Sequence, residues 1–497
     1  MTKLAQFILI ALVLIVPRLA PAQQVDALID ELVSNGTLTN TQAEHIRAKL
    51  SQEYAQTPAG KIELDSNSIR KLQFYGDGRL RFENIDQQNH NDANNIADRE
   101  RYRIRIGALY TYSDHFQAGF ELESGETADS NNQTFGGMFS KSSINVGKIF
   151  LKYSPTDWIT AEAGKFANPW YENTDMVYAT NLNPEGAAEI LTFHPTDHLT
   201  VGLTAAQYIY VHSNQSTSTP NINNNNVGII GEQIPVTWKI TDKVSVKVAP
   251  GFTFYTGGGN NNYGTSVVTG TTTSSTAGVP PGGSPAVTTV PATPNSTTDP
   301  VFVSPREADD LNIVSAPGEI DFTAFGVPIR PYWDFDWNVT GKERIQHVYL
   351  DATASAPAGA TAKAVAAAVV SAQKQNQALG DNLAWAAGVQ VGTNKKKGDW
   401  SVLGEFRQIG LGAVDQNING TDFADSYANQ EGVKLSGIYN LTDFLTGTVT
   451  YYNTWDYKNN LYQALGGGSG TPTVGTTQAL ISEKALQRVQ VDLDWKF

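Results

Sequence analysis

The sequence predicts an all-β protein, a transmembrane antiparallel up-and-down β-barrel of sixteen strands behind a short N-terminal helical hairpin. Three observations lead to this fold class. Polar and apolar residues alternate from Leu72 to Phe497. Short connections rich in Ser, Thr and Asp alternate along the chain with long connections rich in Asn, Gly, Ser and Thr. No apolar run is as long as the roughly 20 residues that a membrane-spanning helix needs.

The bulk composition excludes several function classes. The chain has 497 residues, a formal net charge of −14 and no cysteine. Without cysteine it has neither a disulfide scaffold nor a thiolate nucleophile or metal ligand. The acidic balance argues against a nucleic-acid partner, because the phosphate backbone requires a basic face. No sequence motif of a catalytic site or of a cofactor site is present, so we expect no enzyme and no cofactor.

Residues 1–22 have the pattern of a secretory signal peptide. Lys3 precedes an apolar run from Phe7 to Val16, and small residues at Ala20 and Ala22 predict cleavage after Ala22. The alternative is an uncleaved membrane anchor, for which the run is too short. We therefore expect an exported protein.

Residues 23–60 predict a helical hairpin on the periplasmic side. Apolar residues recur at helical spacing up to Asn35-Gly36, and a second helix is predicted from Thr39, with Gln42 at capping-box spacing. A spacer is the simpler interpretation, and a contact for oligomerisation or with the cell wall is the alternative.

Residues 71–497 predict the barrel, because the period of the pattern becomes two. In "KLQFYGDGRLRFEN", Leu72 and Phe74 share one face of a strand, and Arg79 and Arg81 share the other. Aromatic residues lie near the ends of the apolar faces, as in the girdles of outer-membrane barrels. In lipid every backbone amide must be paired, which only a sheet without edges achieves.

The positions of the connections give the strand number. The motif Pro-Thr-Asp occurs in two of the predicted short turns, and Asp with Ser or Thr recurs in three more. The short turns are predicted at 113–115, 154–157, 195–197, 240–242, 338–344, 394–398 and 440–443. The long connections are predicted at 84–98, 125–143, 167–187, 211–226, 256–318, 356–381, 413–428 and 457–484. Seven turns and eight long connections require sixteen strands, with eighteen as the alternative. Residues 256–318 form a long, low-complexity connection that we expect to be flexible and extracellular, and a short helix is predicted within 356–381.

Charged residues fall on the predicted water-facing sides of the first strands, where a sixteen-stranded barrel encloses an aqueous lumen. We expect them to form a basic wall that attracts anions. The competing interpretation is that the arginines pair with acids such as Glu83, Glu121 and Glu123 and complete the wall. The predicted pore-lining residues are Arg79, Arg81, Arg101, Arg103, Arg105, Glu121, Glu123, Lys148 and Lys152.

The segment from Asn132 to Ala188 closely resembles the putative porin family of bacterial outer membranes. The resemblance is carried by "NQT" at 132–134, "GKF" at 164–166, Asn168-Pro169 and "NPEG" at 183–186. It implies a general-porin-like barrel in a Gram-negative outer membrane for the passive diffusion of ions and small hydrophilic solutes.

The same resemblance implies that the third long loop folds inward and narrows the pore. Its acids would then face the arginine wall. The residues predicted on this constriction loop are Trp170, Tyr171, Glu172, Asp175, Tyr178 and Glu185.

Other partners also follow from the resemblance. They are outer-membrane lipid and lipopolysaccharide, and the barrel-assembly machinery that would read the terminal Phe497. General porins usually form homotrimers, although no residue pattern here marks a subunit interface.

His194 and His198 flank a short turn, where a solvated role is expected rather than a zinc site. The alternative function is an outer-membrane anchoring or adhesion protein that uses its long surface loops.

Overall fold

The structure is a computed structural model that describes residues 62–66, 69–88, 94–125, 130–211, 227–256, 310–345, 381–458 and 484–497. The predicted signal peptide at 1–22, the predicted hairpin at 23–60 and the helix predicted within 356–381 lie outside the described residues. Among the described residues, no helix is long and apolar enough to cross a membrane.

The described chain consists almost wholly of antiparallel strands with two short helices. Their bounds are β1 Ile62–Ser66, β2 Ile69–Gln88, β3 Asn94–Ser113, β4 Phe116–Glu123, β5 Gln133–Thr134, β6 Asn145–Thr156, β7 Ile159–Lys165, β8 Glu185–Thr196, β9 Leu199–Val211, β10 Val227–Gln233, β11 Val236–Thr241, β12 Val244–Val248, β13 Gly251–Thr256, β14 Asn312–Ser315, β15 Gly318–Ala324, β16 Val327–Asn338, α1 Gly341–Arg344, β17 Leu383–Gly392, β18 Trp400–Ile409, α2 Thr421–Ala424, β19 Gln430–Asn440, β20 Leu445–Asp456 and β21 Ala485–Lys496.

The sheet closes because the first long strand pairs with the last one. β2 and β21 are antiparallel from Asp77↔Lys496 to Gln88↔Ala485. Below this seam the backbone of Phe497 exchanges two hydrogen bonds with Gly76, of 3.0 and 3.1 Å. β4 with β5, β10 with β11, β12 with β13, and β14 with β15 are interrupted halves of single barrel strands. β1 pairs only with the foot of β2, from Ile69 to Phe74, below the pairing of β2 with β21, so it is not a strand of the closed barrel. The other twenty strand elements therefore form sixteen barrel strands, as the sequence predicts.

Three neighbouring barrel strands are interrupted by a proline at the same height. Pro235 separates β10 from β11, Pro250 separates β12 from β13, and Pro317 separates β14 from β15. Proline has no N–H to donate to the ladder, so each break lets the strand bend. The proline carbonyl groups still accept hydrogen bonds from neighbouring strands. Pro250 accepts from the N–H of Ile234 at 2.8 Å, and Pro317 accepts from the N–H of Ala249 at 2.9 Å.

The outer surface of the barrel is apolar, and its aromatic residues collect near the short turns. On β16, for example, Phe335 and Trp337 are exposed while the alternating Asp334 and Asp336 are buried. This arrangement is the one required of a barrel whose outside contacts acyl chains. The exposed aromatic residues near the short-turn end include Tyr112, Tyr153, Trp158, Phe193, Trp238, Phe325, Trp400, Tyr439 and Phe444.

Six of the seven predicted short turns are confirmed as short connections between adjacent strands. The turn predicted at 338–344 is wrong. That segment ends β16 and contains α1, so it starts a long connection. The seventh turn is Phe325-Gly326, where both residues have positive φ, of 52° and 78°. Positive φ at both central residues is what a tight hairpin turn requires.

Two predicted long connections are also shorter than expected. β2 and β3 continue through most of 84–98, to Gln88 and from Asn94. β14 and the start of β15 lie inside the predicted 256–318 loop. The sheet also begins before residue 71, because Ile62–Ser66 pairs with the start of β2.

Candidate pore

The arginines of β2 and β3 project from the polar face of the seam and are paired with acids. Arg79 binds Asp494 at 2.7 Å. Arg103 and Arg105 both bind Asp77, at 2.7 and 2.6 Å. The predicted wall is thus a ladder of alternating charges rather than a row of free cations.

Arg81 is the most enclosed of these arginines. It makes two hydrogen bonds to Asp492, of 2.7 and 2.8 Å, and only 4% of its side chain is exposed. Glu83 is fully buried and lies 3.2 Å from Arg488 and 3.6 Å from Arg101. Paired geometry of this kind is what makes a buried charge tolerable.

The acids expected to pair with the arginines are only partly those observed. Glu83 is a partner, whereas Glu121 binds Lys148 at 3.1 Å. Glu123 accepts a hydrogen bond from Asn131. The main partners, on β2 and β21, were missed, although their alternation is visible in the sequence. They are Asp77, Asp492 and Asp494.

Several charged side chains on β3, β6 and β7 keep contact with solvent, and we call this side of the lumen the open wall. The exposed fractions are 25% for Arg105 and 18% for Lys148. Lys165, at the rim, is 33% exposed. Lys152 on β6 lies opposite Glu162 on β7, and both are half-buried. Charges in these positions can act on a solute in the lumen.

The connection between β7 and β8, residues 166–184, packs against the polar face of the distant strands, and we call it the third loop. Asp334 on β16 accepts hydrogen bonds from the N–H groups of Asn173, at 3.2 Å, and of Thr174, at 2.7 Å. Tyr171 and Gln233 exchange two hydrogen bonds, of 2.7 and 2.9 Å. The loop therefore lies inside the barrel.

Aromatic residues fix the root of the third loop. The ring of Trp170 lies 4.9 Å from that of Tyr208 on β9 and 5.3 Å from that of Tyr178. Lys247 lies over the ring of Tyr171, 3.4 Å from its centroid. Trp170 and Tyr178 are buried, so these aromatics serve packing.

Two acids of the third loop have opposite environments. Burial would raise the pKa of Asp175, but the nearby Arg407 and Lys434 outweigh it and hold that pKa below its ordinary value. Burial, together with the carboxylates of Asp334 and Asp336, raises the pKa of Glu172 well above its ordinary value. Asp175 is thus an ion-pair anchor, whereas Glu172 favours its protonated form.

A second connection also lies inside the barrel, and sequence reasoning gave it no role. This is the seventh loop, residues 410–429, between β18 and β19. It contacts the third loop through two backbone hydrogen bonds, from Ala179 N to Ile418 O at 2.6 Å and from Gly420 N to Asp175 O at 2.7 Å.

Together the two loops cover the side of the lumen formed by β16, β18, β20 and β21, which we call the covered wall. Its polar side chains are buried, and four of them bind the loops directly, namely Asp334, Arg407, Arg488 and Gln490. The residues of this wall are Asp334, Asp336, Glu405, Arg407, Tyr452, Arg488 and Gln490.

One residue predicted on the constriction loop lies elsewhere. Glu185 is the first residue of β8, and it binds Lys165 at 3.2 Å with 58% of its side chain exposed. It therefore belongs to the rim of the open wall. Asp175 does not face the arginines of β2 and β3, since its partner is Arg407 on β18.

A family model described as putative porin matches residues 63–464, most of the chain. The chain belongs to the putative porin family. No curated protein matches it. Among solved structures, Salmonella typhi OmpF in complex with daunomycin aligns over 88% of this chain and 100% of that chain, at 10% identity and a TM-score of 0.42. Membership of a porin family, with a closed and outwardly apolar barrel, implies an outer-membrane porin.

Proposed function

We propose that this porin lets ions and small hydrophilic solutes diffuse passively through an off-centre, water-filled channel. The channel runs between the open wall and the two inward loops. It uses no cofactor and performs no covalent chemistry.

The observation that carries the proposal is the contrast in solvent contact between the two walls. Inward charges that lie against the two loops on the covered wall are buried, for example Arg407 and Arg488 at 1% each. On the open wall Arg105 and Lys148 keep 25% and 18% of their side chains in contact with solvent. Water that remains on one side of a closed barrel supports a conducting path there.

The third loop is proposed as the constriction and the basic residues as the selectivity wall. Because all five arginines are paired with acids, the net field they present is weaker than five free arginines would give. Arg105 is the most exposed of these arginines, at 25% of its side chain, so it contributes most to any preference for anions.

The test is the conductance of the refolded protein in a planar bilayer under a salt gradient. We expect stepwise ohmic openings. Replacing Arg101, Arg103 and Arg105 by Gln is expected to move the reversal potential toward cations. A reversal potential that does not move would refute the basic wall and leave the pore intact.

The second candidate is the anchoring or adhesion role, and the same experiment separates it from the porin role. A folded barrel that inserts but carries no current would refute the pore and favour the anchor.

The porin proposal also includes four further features. They are export with a cleaved signal peptide, assembly through Phe497, lipopolysaccharide contact and a homotrimer. Mass spectrometry of the mature N-terminus and native-gel migration test the first and the last of these.

A further inference from the structure

The seventh loop is the most completely buried connection among those that the structure describes. Leu411, Val414 and Phe423 are at most 2% exposed, and Ala413 and Ala428 are fully buried. A surface loop that only covered the barrel mouth would leave its apolar residues partly wet. This burial identifies the loop as a packed element of the barrel interior.

The loop is fastened at both ends of its span across the lumen. Its helix α2 reaches the seam, where Arg488 donates to the carbonyl oxygen of Thr421 at 2.8 Å and Gln490 donates to Asp422 at 2.9 Å. On the other side it binds the third loop through Gly420 and Ile418. It thus continues the third loop from the β18 side to the β2–β21 seam.

Asp422 is the acid that this span brings to the arginine ladder. Its carboxylate lies 3.4 Å from Arg81 and 3.8 Å from Arg488, and 31% of its side chain is exposed. Burial would raise the pKa of Asp422, but Arg81 and Arg488 outweigh it and hold that pKa well below its ordinary value. The acid therefore carries its negative charge at neutral pH while it remains accessible to water.

We infer that the seventh loop is a second constriction element of this pore and that Asp422 is its selectivity-determining residue. The inference rests on the proposed porin function. Asp422 offsets part of the positive field of the seam, so it lowers the local concentration of permeant anions and raises that of cations. The transverse field expected from the third loop is then supplied by the seventh.

The test uses the absence of cysteine from the chain. Asp422→Cys removes one negative charge, and we expect the anion-to-cation permeability ratio to rise about two-fold, the scale of a partly exposed charge contact. A sulfonate-bearing methanethiosulfonate reagent should return the ratio toward that of the wild type. A trimethylammonium-bearing reagent should raise it further, and both should reduce the single-channel conductance.

The matched control is Asp157→Cys, an exposed acid in the short turn between β6 and β7. Labelling it should leave permeability ratio and conductance unchanged. Asp422→Asn gives a second variant without any reagent, and it should reproduce the about two-fold rise.

The outcomes separate the two claims. If the wild type is silent, the proposed pore fails. If the wild type conducts but labels of opposite charge at position 422 have the same effect on the permeability ratio, or none, Asp422 does not determine selectivity. If the labels leave the conductance unchanged, the seventh loop is not a constriction.

Discussion

The covered wall and the open wall are built from the same kind of strand but use their charges differently. Both alternate inward charged residues with outward apolar ones. On the covered wall Arg407 binds Asp175 of the third loop and Glu405 of its own strand. On the open wall Lys148 binds Glu121 at 3.1 Å and keeps 18% of its side chain in contact with solvent. An inward charge therefore holds a loop where one lies against it, and faces water where none does.

The energetic consequence follows from solvent contact. An exposed ion pair contributes about 0–1 kcal/mol to stability, because water screens it. Removing one partner of a buried pair costs about 3–5 kcal/mol, because the other charge is left without compensation. The two walls should therefore respond very differently to the loss of one cation.

The largest effect is expected from Arg407→Leu. Asp175 and Glu405 would both lose their cation, so the free energy of unfolding should fall by about 3–5 kcal/mol. Urea unfolding in detergent micelles measures the change, and single-channel recording should show a larger conductance as the third loop loosens. Lys165→Met on the open wall is the control, with an expected loss of about 0–1 kcal/mol. Equal losses in the two variants would show that the walls do not differ.

A smaller effect is expected from Asp334→Asn. The two carboxylate oxygens of Asp334 accept from Asn173 N and Thr174 N, and an amide keeps only one acceptor. The N–H group left without an acceptor should lower the free energy of unfolding by about 1–3 kcal/mol. Asp336→Asn removes the neighbouring carboxylate, which makes neither of those two bonds. Its unfolding curve should therefore lie closer to that of the wild type, and the reverse order would contradict the anchoring role of Asp334.

The third-loop acids predict a pH dependence of defined sign. The pKa of Glu172 is raised above its ordinary value of 4.5, so folding favours the protonated acid and stability falls as pH rises above about 4.5. Asp175 has a lowered pKa, so its contribution is present above its ordinary value of 3.8 and is lost as pH falls below that value.

Glu172→Gln separates these two contributions. The variant cannot ionise at position 172, so its stability should decline less than that of the wild type between about pH 4.5 and 8. The acid limb due to Asp175 should remain. Urea midpoints measured from below pH 3.8 to about pH 8 cover both contributions. Parallel curves for the two proteins above about pH 4.5 would count against a protonated Glu172.

Strand number and fold class could be predicted because they depend on local patterns. Alternation fixes which residues face lipid, and the Ser/Thr-Asp turns mark the short connections. The turn at Phe325-Gly326 was missed because it contains no Ser, Thr or Asp, so 319–338 looked like one strand. The predicted count of sixteen strands is still correct, because the wrong turn at 338–344 and the missed turn at Phe325-Gly326 cancel in the count.

The site could be predicted only in part because its contacts are long-range. The inward positions of Arg79 and Lys148 follow from period two. That Asp494 lies beside Arg79 depends on the closure of the barrel between residues 415 positions apart. The role of the seventh loop has no local signal, since "GAVDQNINGTDFADS" reads as an ordinary polar connection.

The smallest effect is expected in anion permeability, when two isosteric substitutions are compared. They are Glu162→Gln on the open wall and Glu405→Gln on the covered wall. Glu162 is half-buried opposite Lys152, so its neutralisation should raise anion permeability about two-fold. Glu405 is buried and accepts from Tyr332 at 2.6 Å, so its loss should change stability and leave the reversal potential within error. The shift in Glu162→Gln should shrink in 1 M salt, where the Debye length is about 3 Å against about 10 Å at 0.1 M. A shift of similar size in Glu405→Gln would mean that solute passes the covered wall as well, and that the channel is not off-centre.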